Sequence, residues 1–197
     1  MFTGIVQSVG LIRAIEPKDG DVTIDVGTPS MSLESVTTGD SIAVNGVCLT
    51  VTGMDSGAFR ADVSRETLAM TTLGDWQPGT RVNLEKALLA GQPLGGHYVT
   101  GHVDGVGRVV GRRDDARSVR VEFEAPAALA KYVARKGSVC VDGVSLTVNG
   151  VSGSRFDVNL VPHTLEATIL GDYQPDTAVN IEVDIIARYL ERLGARD

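Results

Sequence analysis

Ionisable and nucleophilic side chains occupy positions at which two halves of this sequence otherwise agree. His102 stands 97 residues after Ile5, and Asp104 stands 97 residues after Gln7. Four further exchanges of this kind are Cys48 to Ser145, Asp62 to Asn159, Glu66 to His163 and Ala87 to Asp184. Two pockets of similar shape that carry different reactive groups suit a reaction between two similar molecules in unlike roles.

Every candidate residue also has a purely structural interpretation. Cys48 in a strand is compatible with a small buried hydrophobe, and Ser145 and Thr147 are compatible with strand residues that hydrogen-bond locally. His102 suits a surface or a hydrogen-bonded core position, and His97 suits the end of a linker. Lys136 is compatible with a solvated surface lysine, and Ser41 and Thr67 are compatible with turn or cap residues. Asp184 is compatible with the cap of the last helix. The residue pattern alone leaves both interpretations open.

The elements that position these side chains occur twice. Thr3-Gly4 returns as Thr100-Gly101, and residues 45–51 return as residues 142–148. The register holds without a gap to the end of the first copy, with roughly a third of the aligned pairs identical. The sequence therefore predicts one domain made twice. Its predicted parts are an N-terminal unit over 1–90, a linker over 91–97, a C-terminal unit over 98–184 and a helix over 185–197.

Each copy consists of short predicted strands between turns. Alternating or β-branched residues predict strands over 4–15, 22–26, 41–44, 49–52, 58–64 and 81–84, and 119–123 repeats the second of them. Asn45-Gly46 and Asp142-Gly143 predict two-residue hairpin turns. Pro29 and Pro126 predict the first positions of short helices, and Gly74 predicts a helix end. About six strands per copy favour an all-β fold with two tandem six-stranded closed barrels, because closure removes exposed strand edges.

A further helix is predicted only after the second copy. Ile186, Tyr189, Leu190 and Leu193 lie at i, i+3, i+4 and i+7 and form one apolar face. A free helix of about ten residues is marginal, so this face must dock on something. Its own barrel and a neighbouring subunit are equally compatible with the pattern.

Composition limits the classes of function. A net charge of -7 and a pI near 4.9 argue against nucleic acid or an anionic membrane surface as the main partner. Two cysteines at non-equivalent places, Cys48 and Cys140, indicate a reducing compartment, the cytoplasm, and no disulfide. His97 and His102 lack the further ligands of a metal site. The glycine-rich stretch 101–107 leads into a strand rather than a helix, which argues against a dinucleotide-binding loop.

The order of these motifs resembles the riboflavin synthase family over essentially the whole chain. In the first copy the matching segments are MFTGIV at 1–6, NGVCLTV at 45–51, and ETL at 66–68 followed by LG at 73–74. In the second copy they are GGH at 95–97, GHV at 101–103, KG at 136–137, DGVSLTV at 142–148 and VNIE at 179–182.

The resemblance implies two six-stranded Greek-key barrels and a C-terminal helix, assembled as a homotrimer. It implies dismutation of two molecules of 6,7-dimethyl-8-ribityllumazine to riboflavin and 5-amino-6-(D-ribitylamino)uracil by transfer of a four-carbon unit, with no cofactor and no metal. One ligand occupies each barrel, and the working site lies between the N-barrel of one subunit and the C-barrel of its neighbour. Lumazine synthase is a candidate partner on the same grounds.

The resemblance also assigns substrate-contacting residues to each barrel. In the N-barrel they are Gly4, Ile5, Val6, Ser41, Cys48, Leu49, Thr50, Asp62, Val63, Ser64, Arg65, Glu66 and Thr67. In the C-barrel they are Gly101, His102, Val103, Lys136, Ser145, Leu146, Thr147, Asn159, Leu160, Val161, Pro162, His163 and Thr164. The backbone of a barrel-edge strand is expected to pair with the amide-like edge of the pteridine, and Asp62 and Asn159 are expected to hold ribityl hydroxyls.

Catalytic roles follow from the same resemblance. His102 is the candidate proton carrier, because the ordinary pKa of histidine lies near working pH. Cys48, Ser145 or Thr147 would deliver a nucleophile to the ring carbon that bears the methyl group, or stabilise its adduct, and Asp184 would orient the Ser145 hydroxyl. One departure is His163, which stands where the family pattern often has glutamate, so a contact made by that carboxylate is in doubt.

Two other classes of function compete with the enzyme. A non-catalytic lumazine-binding protein on the same duplicated fold, acting as a carrier or optical antenna, would be expected to keep one binding barrel and lose reactive groups in the other. A structural adaptor without any ligand would require the whole resemblance to be coincidental. The presence of Cys48, His102, Ser145 and Thr147 together favours the enzyme.

Overall fold

Two closed antiparallel barrels, one from each copy of the sequence, form the fold. The computed structural model describes residues 1–195. The strands of the N-barrel are β1 Ser8–Lys18, β2 Asp21–Gly27, β3 Ser41–Val44, β4 Val47–Asp55, β5 Ala58–Val63 and β6 Arg81–Lys86. Those of the C-barrel are β7 Gly105–Asp115, β8 Ser118–Glu124, β9 Ser138–Val141, β10 Val144–Ser152, β11 Arg155–Leu160 and β12 Ala178–Val183. The predicted all-β class with two tandem six-stranded barrels is confirmed.

Both barrels have the same strand order and the same inward-facing core. The order is β1-β2-β5-β4-β3-β6 in the N-barrel, and the C-barrel repeats it as β7-β8-β11-β10-β9-β12. Alternate residues of β8 face inward, so Val121 and Phe123 are fully buried. Phe123 stacks on Phe156 of β11 with ring centroids 5.3 Å apart. Burial of each such side chain stabilises the folded state by about 1.5–3 kcal/mol. The apolar face of each strand therefore points inward.

Short helices close the barrel ends. They are α1 Arg65–Met70, α2 Pro162–Ala167 and three 3₁₀ turns at Thr72–Asp75, Ala127–Tyr132 and Ile169–Asp172. The helix predicted at Pro29 is wrong, since residues 28–30 lie in an irregular turn, and Pro126 precedes a 3₁₀ turn. Gly74 lies inside a 3₁₀ turn and does not end a helix. A Cβ there would come 2.9 Å from the Leu68 carbonyl oxygen, so close approach requires this glycine.

The two predicted hairpin turns are present and touch each other. Asn45 and Asp142 have φ angles of 45° and 44°, and each is followed by a glycine with positive φ, as a type I′ turn requires. A Cβ on Gly46 would lie 2.8 Å from the backbone nitrogen of Gly143, and the reverse distance is also 2.8 Å. The two barrels therefore meet tip to tip about a pseudo-twofold axis.

Buried amide side chains lock this contact. Asn83 Nδ2 donates to the Asp142 carbonyl oxygen at 2.8 Å, and Asn180 Nδ2 donates to the Asn45 carbonyl oxygen at 2.9 Å. Within each barrel, the backbone amide of Asn83 donates to Asn45 Oδ1 and that of Asn180 donates to Asp142 Oδ1. Because these groups are buried, each bond that is lost would leave an unsatisfied polar atom.

The one acidic member of this group predicts a pH-dependent stability. Burial raises the pKa of Asp142 to about 7, although Tyr173 and the Asn180 amide donate hydrogen bonds to it. Between about pH 4 and pH 7 the folded chain holds a proton on this carboxyl that the unfolded chain has lost. The free energy of unfolding therefore falls as the pH rises through this range, by up to about 1.4 kcal/mol per pH unit. We expect Asp142→Asn to remove this slope and to raise the melting temperature at pH 8, measured by thermal unfolding at pH 4.5 and 8.

The first copy supplies the matched control, because asparagine already occupies position 45. The reverse change, Asn45→Asp, should introduce the same slope and lower the melting temperature at pH 8. Identical pH dependence in wild type and Asp142→Asn would exclude this carboxyl as the source.

The C-terminal helix attaches by its polar side. Helix α3, Ile185–Gly194, begins at Asp184, whose side chain accepts a hydrogen bond from the Ile186 amide. Glu191 contacts Lys131 and Tyr132, and Arg188 pairs with Asp104. The residues of its apolar face are 53–83% exposed: Ile186, Tyr189, Leu190 and Leu193. The alternative that this face packs on its own barrel is therefore wrong. Arg196 and Asp197, the end of the predicted helix, lie outside the described residues.

None of the helices within residues 1–195 has both the length and the apolar character needed to cross a bilayer. The thiols of Cys48 and Cys140 are both free.

Candidate active site

The segments that open each copy cross to the other barrel. Ser145 donates its backbone amide to the Gly4 carbonyl oxygen, and Cys48 donates its amide to the Gly101 carbonyl oxygen, both at 2.8 Å. Val6 packs against the C-barrel core, whereas Val103 packs against the N-barrel core. The sequence-based grouping of 4–6 with the N-barrel and 101–103 with the C-barrel is therefore wrong. The predicted first strand accordingly begins at Ser8 and not at Gly4.

Two buried glutamates hold the crossing segments in place. Glu85 accepts hydrogen bonds from the amide and hydroxyl of Thr3 and from the Gly4 amide, at 2.7–3.0 Å. Glu182 accepts the equivalent bonds from Thr100 and Gly101 at 2.6–2.9 Å. Burial raises the pKa of both carboxyls, and these hydrogen bonds partly offset it. Sequence analysis assigned no role to either residue.

Each barrel opens beside a crossing segment. Strands β4 and β5 stop pairing after Val51–Ala61, and β10 and β11 stop after Val148–Val158. Beyond these points, residues 47–50 pair only with β3, and residues 62–63 only with β2. In an antiparallel ladder the hydrogen-bonding direction alternates. The amide and carbonyl of Thr50 therefore point to the same side as those of Cys48, away from β3, and Thr147 repeats this in the C-barrel.

The predicted residues cluster at these two openings. We define the N-site as residues 48–50 and 62–67 with Ser41 and the crossing segment 101–103. The C-site is residues 145–147 and 159–164 with Lys136 and the crossing segment 4–6. Ser41 pairs with Thr50 in register, and the Lys136 amide donates to the Val148 carbonyl oxygen. All the candidate contact residues thus belong to one of two equivalent places.

Burial separates side-chain contacts from backbone contacts within these sites. The side chains of Leu49, Val63, Leu146 and Leu160 are buried in the barrel cores, so only their backbones are available. Exposed members are Ile5, Thr50, Asp62, Ser64, Arg65, Glu66, His102, Lys136, Thr147, Asn159, Val161, Pro162 and His163. Partly buried members are Val6, Ser41, Cys48, Thr67, Val103, Ser145 and Thr164.

Some predicted side chains are already engaged. Asp62 accepts hydrogen bonds from Thr23 at 2.6 Å and Lys18 at 2.9 Å, and these contacts lower its pKa. Its carboxylate is therefore turned toward β2, and a ligand hydroxyl would have to compete with both donors. Ser64 caps α1 by accepting a hydrogen bond from the Thr67 amide, so the predicted cap position falls on Ser64 and Thr67 is its partner.

The strongest polar pairing in the C-site joins Ser145 to His97. Ser145 Oγ lies 2.7 Å from His97 Nδ1, and the histidine is 8% exposed. Burial lowers the pKa of His97, with the Asp184 charge opposing the shift. The imidazole is therefore neutral at neutral pH and can accept the serine proton. The hydrogen-bond partner of Ser145 is thus His97 and not Asp184, because Asp184 caps α3 and acts on the histidine through its charge.

The other ring nitrogen of His97 is buried without a hydrogen-bond partner in the described part of the chain. A buried unpaired polar atom costs about 1–3 kcal/mol. No role was predicted for His97, and the signal that could have found it is the match of Gly95-Gly96-His97 to the family pattern. A Cβ on Gly96 would lie 3.0 Å from Ser145 Oγ, so only glycine lets the segment approach the serine.

Val103 is partly buried against the N-barrel core, whereas its neighbour His102 is not part of that core. His102 is exposed and lines a depression of about 240 Å³ with Thr100, Asp104, Glu182 and Arg188. Neither Cys48 nor Ser145 bonds to it within residues 1–195. The same depression is lined by Ile185 and Arg188, so His102 lies beside the start of α3.

Gly101 is required by close packing of the two barrels. It has a φ of +80°, and a Cβ would lie 2.6 Å from Cys48 Cβ and 3.0 Å from the Phe2 ring. We expect Gly101→Ala to lower the free energy of unfolding by about 2 kcal/mol or more, measured by urea denaturation. Gly39→Ala is the control, since Gly39 also has positive φ but has nothing within 4 Å of the added atom. Equal losses in both variants would assign the effect to backbone strain alone.

Metal chemistry has no candidate in the described residues, since no group of three or more His, Cys, Asp or Glu side chains converges there. Burial raises the pKa of the Cys140 thiol well above its ordinary value, so it is an unreactive core residue.

Comparisons with known proteins agree with this duplicated architecture. The lumazine binding domain family matches twice, at residues 3–87 and 100–184. A riboflavin synthase from Photobacterium phosphoreum is 47% identical over 193 residues, which cover 98% of this chain and 88% of the relative. A riboflavin synthase from Mycobacterium bovis is 46% identical over 197 residues and covers 98% of both chains.

A solved structure with the same fold belongs to a protein named LumP, not to a riboflavin synthase. The crystal structure of LumP complexed with 6,7-dimethyl-8-(1'-D-ribityl) lumazine superposes with a TM-score of 0.83 at 28% identity. The match covers 93% of this chain and 99% of that chain.

Proposed function

Because the chain belongs to the riboflavin synthase family and is an enzyme of that type, we propose that it converts two molecules of 6,7-dimethyl-8-ribityllumazine into riboflavin and 5-amino-6-(D-ribitylamino)uracil. A four-carbon unit passes from one lumazine to the other. The observation that carries this proposal is the pair of sites with one backbone plan and different reactive groups. The N-site holds Cys48, and the C-site holds the Ser145–His97 pair.

Each barrel binds one lumazine in this proposal. The unit of residues 1–90 provides the barrel part of the N-site, and the unit of residues 98–184 provides the barrel part of the C-site. Each unit also lends its crossing segment to the site of the other barrel. The free amide and carbonyl of Thr50, and those of Thr147, pair with the amide-like edge of the pteridine. Hydrogen bonds to such an edge orient the ring without any charged side chain. The crossing segments 4–6 and 101–103 form one wall of each site.

The chemistry needs a proton carrier and two aligned rings. The 7-methyl group of the lumazine is acidic, because its carbanion delocalises into the ring. His97 accepts the proton of Ser145 Oγ, so that the serine, or a water held by it, adds to the ring carbon that bears the methyl group. His102 is the proposed carrier of the methyl proton. Holding the two rings face to face supplies about 7–11 kcal/mol in well-oriented cases.

A homotrimer is the proposed assembly. The exposed apolar face of α3 supports it, since Ile186, Tyr189, Leu190 and Leu193 have no cover within residues 1–195. The N-site of one subunit then faces the C-site of its neighbour. Two free thiols are compatible with the cytoplasm as the compartment. A complex with lumazine synthase, which would supply the substrate, is an expectation from the family resemblance alone.

Stoichiometry tests the function. The purified protein is mixed with 6,7-dimethyl-8-ribityllumazine in a buffer that contains a metal chelator, and riboflavin absorbance is followed against substrate loss. One riboflavin formed for two lumazines consumed is the expected result. The similarity to LumP keeps a lumazine carrier as the second candidate. Tight binding with changed fluorescence and no turnover would support the carrier and overturn the enzyme.

A further inference from the structure

We propose that the ion pair between Asp104 and Arg188 positions segment 100–104, which contains the crossing segment 101–103. Helix α3 thereby influences turnover at the N-site. The proposal rests on the proposed function. It assigns a positioning role to two residues that are not members of either site defined above, although Asp104 directly follows Val103 of the N-site. Three features of the molecule carry it.

The first feature is how the segment is held. It contains no strand residues, and side chains fix its two ends. At one end Glu182 binds Thr100 and Gly101, as described above. At the other end Asp104 Oδ2 accepts a hydrogen bond from the Val183 amide at 2.7 Å, and the Asp104 amide donates to the Ile181 carbonyl oxygen at 2.8 Å. His102 and Val103 lie between these two anchors, so their placement depends on both.

The second feature is a difference between the copies. In the N-barrel, Gln7 Oε1 accepts a hydrogen bond from the Lys86 amide, the same contact that Asp104 makes to Val183. The anchor is thus neutral in the first copy and charged in the second. The Asp104 side chain is 7% exposed, and a carboxylate this buried needs a counter-charge. Its second oxygen pairs with Arg188.

The third feature is the way α3 meets the barrel. Within residues 1–195, its polar contacts to the barrel are the Asp104–Arg188 pair, the contacts of Glu191 with Lys131 and Tyr132, and the Arg188 guanidinium 5.9 Å from the centroid of the Tyr132 ring. Only the first of these reaches the crossing segment. The apolar face of α3 points away from the barrel, so the proposed trimer contact fixes the helix from outside. The ion pair then transmits the helix position to His102 and Val103.

The test uses two variants that each remove one charge. Asp104→Asn keeps an oxygen for the Val183 amide, and Arg188→Gln keeps a long polar stem. We expect each variant to lower kcat about tenfold with KM changed less than twofold, while the sedimentation coefficient stays that of the wild type. The double variant should lose no more than either single variant, because the two residues act as one unit.

Lys131→Gln is the matched control, since it loosens the other anchor of α3 without contact to segment 100–104. It should leave kcat unchanged. An equal loss in Lys131→Gln would mean that general loosening of the helix is responsible, and additive losses in the double variant would mean that the residues act separately. Either result would overturn the proposal, as would unchanged kcat in both single variants.

A second readout separates this proposal from the proposed function. The chain has three histidines, so their ring protons can be followed individually by NMR. Asp104→Asn and Arg188→Gln should shift the His102 signals and leave those of His163 in place. If the two variants show these shifts and the wild-type protein shows no turnover, the proposed enzyme function is overturned and the positioning role is kept. Unshifted His102 signals would overturn the positioning role.

Discussion

Replacing Ser145 with alanine is expected to lower kcat by about two orders of magnitude, because general base catalysis by a positioned side chain contributes about 10²–10⁴-fold. The serine hydroxyl lies 2.7 Å from a buried imidazole whose pKa is lowered by burial. His97→Gln should cause a similar loss. The double variant should be no slower than the slower single variant, since each residue is useless without the other. Steady-state kinetics with the lumazine substrate measure all three.

The pH profile distinguishes a base from a structural partner. His97 must be neutral to accept the proton, so wild-type kcat should fall at low pH, as the imidazole becomes charged. His97→Gln should lose this acidic limb along with its rate. Ser152→Ala, at the exposed far end of β10, is the control for removal of a hydroxyl from the same strand and should keep wild-type kinetics. If the acidic limb persists in His97→Gln, the limb belongs to a group other than His97, and His102 is then the residue to substitute.

Replacing Leu190 with glutamate is expected to dissociate the assembly and to lower kcat at least a hundredfold. Leu190 is 66% exposed in the single chain and lies in the centre of the apolar face of α3. In the proposed trimer the change would bury a charge in an apolar contact, which costs several kcal/mol unless the charge is paired. In the proposed assembly the reacting N-site and C-site belong to neighbouring subunits, so separated chains would hold their two lumazines apart and lose the effective molarity of alignment.

Sedimentation and binding measurements complete this test. The variant should sediment as a single chain of 20.7 kDa and should still bind lumazine, since each site is built from residues of one chain. Arg192→Gln changes an exposed polar residue of the same helix and should remain assembled and active. A monomeric Leu190→Glu protein with full turnover would mean that the two sites of one chain react with each other.

The fold was predictable to a large extent because its signals are local. The strand alternation of residues 119–123, the Asn-Gly and Asp-Gly turns and the 97-residue repeat are visible in short windows of sequence. The equivalence of positions such as Thr50 and Thr147 was also predictable, since both belong to the same repeated motif, but the barrel that each crossing segment joins was not. The failures at Pro29 and Gly74 concern turns that were predicted as a helix start and a helix end. At Gly74 the close approach of the Leu68 carbonyl oxygen, and not a helix end, requires the glycine.

The sequence by itself determined the duplication, the strand pattern and the amphipathic C-terminal helix, because periodicity and turn chemistry act between neighbouring residues. Only the tertiary structure decided that segments 4–6 and 101–103 exchange barrels, since two copies of one motif have the same strand preferences whichever barrel they join. It alone decided that Ser145 pairs with His97, 48 residues away, because contacts between distant segments leave no periodic signal. The outward direction of the α3 apolar face followed from the same cause: Arg188 and Glu191 find their partners on the barrel, and the helix turns its polar side toward them.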